Sequence, residues 1–281
     1  MILIIGENSE IGSHFFSYLK KKSIKFLATS RRLGKLNKGT IFFDLENPKL
    51  DKKILDKINS VFFFTGISNI KYCEENKKLC KFINYTQTKK IIRILLSKKI
   101  RVFFMSTSKI YCNHQKLPNE LSKKCINNYY SEQKYKIENS FLNNKYFTSL
   151  RIGKVLSVNY KKNKIFKKFL NNKKIDAFED YYISPIYIDY LCNLLIRLEK
   201  NKSISGAFNV CSIDSISYYK FYCLIAKKFK MNKSNIIKSS ISKEKNVYKE
   251  LMSTNKINKL NFKIYKSKTH INKFLQNIYE V

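Results

Sequence analysis

The segments "VFFFTG" (61–66) and "RVFFMSTS" (101–108) carry apolar side chains at consecutive positions rather than at alternate ones. A strand with one face in water alternates apolar and polar residues. A strand apolar at every position has both faces covered, as in a parallel sheet sandwiched between helices. "ILII" (2–5), "KFLATS" (25–30), "IFFDL" (41–45) and "YFTSLRI" (146–152) repeat the pattern. Helical spacing separates several of these runs: Phe15, Phe16 and Leu19 share one side of a segment starting near Ile11. A longer helix is predicted over roughly Lys77 to Ser97, and another from Tyr129. Residues 1–153 therefore read as a doubly wound, parallel-sheet α/β domain of the Rossmann kind.

After residue 153 the pattern loosens. "YISPIYIDYLCNLLIRLEK" (182–200) reads as a turn feeding a helix with Pro185 at its start. "GAFNV" (206–210) is a short strand, "SISYYKFYCLIAKKF" (215–229) a helix behind a serine cap, and "HINKFLQNIY" (270–279) a closing helix. With 7 glycines and 3 prolines in 281 residues, no linker stands out. Residues 154–281 are expected to form a smaller α+β substrate lobe packed on the first domain, not an independent unit.

Bulk composition narrows the function classes. A net charge of +36 invites a nucleic-acid reading, but of the basic residues only Arg31, Arg32, Arg93, Arg101, Arg151 and Arg197 are arginines. Sequence-specific readers of nucleic acid rely on the guanidinium fork. Lysine here accompanies abundant asparagine and isoleucine, as compositional drift through solvated positions would give, so no specific nucleic-acid partner is expected. No apolar run is long enough to span a bilayer, and the start lacks a signal-peptide core, so the expected location is the cytoplasm. The 7 cysteines include no CxxC pair, and His14, His114 and His270 form no metal motif, so reduced thiols and no metal are expected.

The first strand runs into "GENSEIG", with Gly6, Ser9 and Gly12 at three-residue spacing and Glu10 and Ile11 between the last two. A turn of this form at a helix N-terminus lets backbone approach a pyrophosphate. Ser9 stands where the motif usually has glycine, and its hydroxyl is available to donate to phosphate. The second strand ends in "TSRR": Ser30, Arg31 and Arg32 replace the acidic residue that would bind a ribose 2′-hydroxyl, and suit a 2′-phosphate. Asp44 and Leu45, closing the third strand, are placed for adenine, and Thr65 and Gly66, closing the fourth, for close backbone approach.

In "NNYYSEQKYK" (127–136), Tyr130 and Lys134 lie four apart and share a helix face, whereas Tyr129 has Gln133 at that spacing. A lysine beside Tyr130 is expected to lower the phenol's pKa. Ser106, Thr107 and Ser108 lie at the carboxyl end of the fifth strand, where open α/β sheets bind ligands.

Together these segments resemble the extended short-chain dehydrogenase/reductases, most closely the group of dTDP-4-dehydrorhamnose reductases and sugar-nucleotide epimerases. The resemblance extends through "INYTQT", "FMSTSKIY", "YYSEQK", "SLRIGKVLS", "SPIYIDYL", "GAFNV" and "MSTNKINKLNF". It implies Tyr130 as proton donor, Lys134 as its partner and a ribose ligand, Thr107 as the catalytic hydroxyl and Asn84 as structural support. Lys109 departs from the motif, which often carries a smaller or aromatic residue there. The implied activity is reduction of a keto group on a nucleotide-activated sugar, with NADP(H) favoured over NAD(H) by Arg31 and Arg32, and a role in surface polysaccharide synthesis. An epimerase or dehydratase of the same fold and a non-enzymatic NADPH-binding regulator are the alternatives; a homodimer is compatible with either.

Overall fold

The computed structural model describes residues 1–32, 39–111, 117–157, 168, 171, 173–241 and 247–278. The chain divides into two compact units, each discontinuous in sequence. The first comprises Met1–Ile110, Lys124–Arg151 and Cys192–Phe208; the second comprises Tyr111–Lys123, Ile152–Leu191 and Asn209–Val281. The chain crosses between the units near residues 110, 124, 151, 191 and 208.

The sheet of the first unit is built from β1 (Ile2–Ile5), β2 (Phe26–Ser30), β3 (Thr40–Phe42), β4 (Ser60–Phe63), β5 (Arg101–Thr107) and β6 (Phe147–Ile152). It is completed by β7 (Gly206–Val210), in the order β7-β6-β5-β4-β1-β2-β3. β1 pairs in parallel with β2 and β4, and β2 with β3 and β4 with β5 likewise. "GAFNV", expected within the lobe, instead extends this sheet at its edge.

The consecutive phenylalanines explain themselves in register. Phe62 lies opposite Phe103 and Phe63 opposite Phe104 across β4 and β5. Phe62 stacks on Phe103 at 4.7 Å and takes Phe15 edge-on at 4.7 Å. One residue on, Phe63 and Phe104 join the core with Leu95, Ile137 and Phe147. Successive strand residues point to opposite faces, so a Phe-Phe pair supplies both layers of helices with a ring. Arg101, buried at the start of β5, donates to the carbonyls of Glu199 (2.6 Å) and Asn201 (2.8 Å). These close the C-terminal end of the helix Ile188–Lys200, where a cation also complements the helix dipole.

The helices that bear on the site are α1 (Glu10–Lys21), α2 (Lys52–Leu55), α3 (Ile70–Glu75), α4 (Lys77–Lys81), α5 (Thr88–Ser97) and α6 (Tyr129–Phe141). The helix expected over Lys77–Ser97 is not uniform. Its middle, Phe82–Gln87, is a π-helical segment, a form that inserts an extra residue per turn and concentrates at functional sites.

In the second unit, Lys154–Leu156 pairs in parallel with Pro185–Tyr187, Ile175–Phe178 with Ile236–Ser239, and Tyr181–Ile183 with Ile216–Ser217 and Tyr248–Lys249. Pro185 thus begins a strand and not the helix predicted for it; the helix starts at Ile188. The serine-capped helix is present as Tyr218–Lys228 behind Ser217, and the closing helix as Ser267–Asn277.

Candidate functional site

The turn after β1 is shaped by two glycines. Gly6 has φ +97, and a Cβ there would lie 2.9 Å from Thr65 Cγ2. A Cβ on Gly12 would lie 2.1 Å from the Gly6 carbonyl oxygen, so only glycine lets α1 start this close to the turn. Ser9 caps α1: its Oγ accepts from Gly12 N at 3.0 Å and donates to the Gly6 carbonyl at 2.8 Å. The hydroxyl proton expected to reach phosphate is therefore spent inside the turn, and Ser9 serves the turn's shape instead. Thr29 Oγ1, buried at the end of β2, accepts the Gly6 N–H at 3.1 Å.

This turn opens onto a groove of about 530 Å³ lined by Gly6, Ser9, Arg31, Arg32, Asp44, Leu45, Thr65 and Gly66 among others. All of these were singled out in the sequence. Glu10, Ile11 and Gly12 belong to the first turn of α1 and do not line it; Ser30 lies behind the wall, buried. Ser30 Oγ accepts from Asn8 Nδ2 at 2.6 Å and from the Arg32 backbone at 3.0 Å, holding both groove residues. Asn8 was missed; its only signal is its place inside the turn. Asp44 Oδ1 accepts from Glu46 N at 3.0 Å, which folds the loop after β3. Phe43, Phe64, Leu79 and Ile83 add an apolar wall.

At the carboxyl ends of β4 and β5, Gly66 has φ +136, and a Cβ there would approach Asn84 Oδ1 to 3.0 Å. Asn84, buried in the π-helical segment, accepts from Ile67 N at 2.8 Å and donates to Ile67 O at 2.9 Å. The support role implied for Asn84 has this geometry. Behind it Cys73 and Cys80, both buried, place their sulfurs 3.0 Å apart.

Asn128 caps α6 through Ser131 N at 2.9 Å, so Tyr130 and Lys134 fall on the first two turns as expected. Lys134 is buried; its Nζ donates to the Met105 carbonyl at 2.9 Å, lies 4.6 Å from the Phe104 ring centre and 5.9 Å from that of Tyr130. Thr107, two residues beyond Met105, is buried, and its Oγ1 accepts from Lys109 N at 3.2 Å, a bond that does not use the hydroxyl's own proton. Tyr129 turns away: its backbone N–H donates to Glu74 at 2.6 Å, and Lys77 Nζ lies 5.7 Å from its ring centre.

Burial pushes the Lys134 ammonium down to about 8, against the opposing pull of Glu138 and Cys73. Burial also pushes the Tyr130 phenol up to about 12, with Cys73 adding to the rise and Lys109 opposing it. The expectation that Lys134 lowers this phenol is corrected: desolvation outweighs any nearby charge, and the cation that opposes the rise is Lys109.

These residues suit a dinucleotide. The turn at the N-terminus of α1 lines the groove with Gly6, Asn8 and Ser9, Arg31 and Arg32 line it as well, and buried Thr65 Oγ1 and Ser106 Oγ have no partner among the described residues. Among the described residues, no group of three or more His, Cys, Asp or Glu could hold a metal ion; His114 lies outside them. No described helix is long and apolar enough to cross a membrane.

Solved structures share this architecture. The chain superposes on dTDP-4-dehydrorhamnose reductase from Bacillus anthracis, solved in complex with NADP, with TM-score 0.84 and 15% identity, covering 98% of this chain and 97% of that one. UDP-glucose 4-epimerase from Thermotoga maritima, solved with UDP-glucose, gives 0.78 and 17%, over 99% and 98%. The Thermus thermophilus UDP-glucose 4-epimerase, solved with NAD, gives 0.76 and 15%, over 97% and 98%. No curated protein matches the chain in sequence. Residues 1–279 match the family of the RmlD substrate binding domain, nearly the whole chain. The protein belongs to the RmlD substrate-binding-domain family, with the fold of the extended short-chain dehydrogenase/reductases.

Proposed function

We propose that this protein is an NADPH-dependent reductase of a keto group on a nucleotide-activated sugar. The observation that carries the reading is the placing of Tyr130 and Lys134 on one face of α6, with Lys134 anchored on the Met105 carbonyl two residues before Thr107. The dinucleotide, when bound, supplies the hydride. Arg31 and Arg32 hold its 2′-phosphate, and the N-terminus of α1 its pyrophosphate. Thr107 donates a hydrogen bond from its hydroxyl to the sugar carbonyl oxygen, keeping its own proton, and fixes that oxygen's direction. Tyr130 gives that oxygen the proton that completes the alcohol. A phenol pushed up to about 12 starts fully protonated near neutral pH, as reduction requires. The Lys109 charge favours the phenolate that results, and Lys134 would hydrogen-bond the cofactor's ribose.

A thermal-shift panel of NADPH, NADH and UDP-, dTDP- and GDP-linked sugars tests the reading, followed by a NADPH-consumption assay on 4-keto sugar nucleotides. Stabilisation by NADPH and by a nucleotide sugar, with NADPH consumed, is expected. Epimerised sugar without net NADPH consumption would make the chain an epimerase. Binding of NADPH with no sugar nucleotide bound or turned over would make it a regulator.

A further inference from the structure

Three charged side chains lie buried in one stretch of the first unit: Lys134, Glu138 and Arg151 are 7%, 0% and 1% exposed. Lys134 and Glu138 are one helical turn apart on α6, so they share a face. Arg151, on β6, grips Glu138 with a fork: Nε donates to Oε2 at 3.0 Å and to Oε1 at 3.3 Å, and the terminal nitrogen donates to Oε2 at 2.6 Å.

A buried ion pair is weak evidence of a stabilising role, because the cost of removing both charges from water consumes most of their attraction. Its consequence is felt by the third charge. Lys134 is faced by Glu138 from its own helix, by Cys73 from α3, by the Met105 carbonyl and Phe104 ring from β5, and by the Tyr130 ring. Of these Glu138 alone is a full negative charge. Arg151 stands behind it on β6 and fixes its direction through the fork.

We propose that the Glu138–Arg151 pair is a positioning device for Lys134, presenting a fixed carboxylate that keeps the buried lysine charged and seated on the Met105 carbonyl. This rests on the reading of Lys134 as part of the catalytic site, but its direct test does not need turnover. The carboxylate raises the affinity of Lys134 for its proton against burial, which acts the other way. Without the pair, the lysine becomes neutral at lower pH.

The experiment is NMR of the full chain labelled with [ε-¹³C]lysine, the Lys134 signal being identified by its loss in Lys134→Met. The wild-type signal should titrate near 8. In Glu138→Leu/Arg151→Met, an apolar pair of similar bulk, the midpoint should fall by about one pH unit. Glu138→Gln/Arg151→Gln, which fills the space with two amides, should shift it in the same direction. The alkaline limb of kcat/KM should move with the NMR midpoint. A midpoint that stays put in either variant, with the native circular dichroism spectrum retained, would reduce the pair to a structural tie and overturn the proposal. So would a wild-type midpoint well below 8. If the midpoint shifts but no nucleotide sugar is ever reduced, the positioning role stands and the functional reading falls.

Discussion

Asn84 and Ile67 exchange two hydrogen bonds, 2.8 Å into the asparagine's carbonyl and 2.9 Å out of its amide, and so clamp the loop after β4 to the π-helical segment. The side chain reproduces a strand neighbour at a place where the sheet has ended. Gly66, whose Cβ would press on the same Asn84 oxygen, lies immediately before the clamped residue.

Asn84→Ala removes both bonds and leaves the Ile67 N–H and C=O without that partner. Two such losses should lower unfolding stability by about 2–3 kcal/mol and weaken dinucleotide binding. Urea denaturation and calorimetry measure the two effects. Stability within about 0.5 kcal/mol of wild type would mean that the clamp carries no weight.

Ser9 offers a finer test of the turn. Its hydroxyl caps α1, so Ser9→Ala should cost about 1 kcal/mol and Ser9→Gly only a few tenths. Because the hydroxyl proton is held by the Gly6 carbonyl, Ser9→Gly should bind dinucleotide as well as wild type. A large loss of affinity in Ser9→Gly would return the hydroxyl to the phosphate.

Arg31 and Arg32 are both exposed and both line the groove. The double substitution Arg31→Ala/Arg32→Ala should weaken NADPH by about 1.5–3 kcal/mol for each charge-assisted bond lost and leave NADH nearly unchanged. Calorimetry showing no preference in wild type, or a preserved one in the variant, would contradict the assignment.

The pH dependence follows from which proton leaves first. Tyr130, pushed up to about 12, keeps its proton throughout the working range, whereas Lys134 is brought down to about 8. The kcat/KM for reduction should be level below about 8 and fall towards tenfold per unit above it, because that ratio reports the free enzyme. A profile flat to pH 10 would separate Lys134's charge from the reaction.

Most of the architecture was legible because both-face burial leaves a strong mark: "VFFFTG" and "RVFFMSTS" could hardly be anything but interior strands. That Ser9, Arg31, Asp44 and Thr65 line one groove was legible for a related reason, since strand ends and helix starts fix where they must fall. Two kinds of feature were not. The edge position of "GAFNV" is set by long-range pairing, which a five-residue run does not encode. The state of Tyr130 depends on burial more than on its helical neighbour, and a spacing rule sees Lys134 but not the desolvation that outweighs it or the Lys109 charge that opposes it. The Glu138–Arg151 pair joins a helix to a strand 13 residues on, with no local pattern to announce it.

The account stands on Tyr130 as the proton donor, and one paired comparison tests it. Tyr130→Phe keeps the ring and removes the acid, so folding and NADPH binding should survive while kcat falls 10²- to 10⁴-fold, roughly 3–5 kcal/mol of barrier. Tyr129→Phe keeps the backbone bond to Glu74 and should stay within about threefold of wild type, under 1 kcal/mol. The measurement is NADPH oxidation at saturating 4-keto sugar nucleotide, with both variants beside wild type. Equal losses at the two positions, or a Tyr130→Phe enzyme with wild-type turnover, would contradict the mechanism.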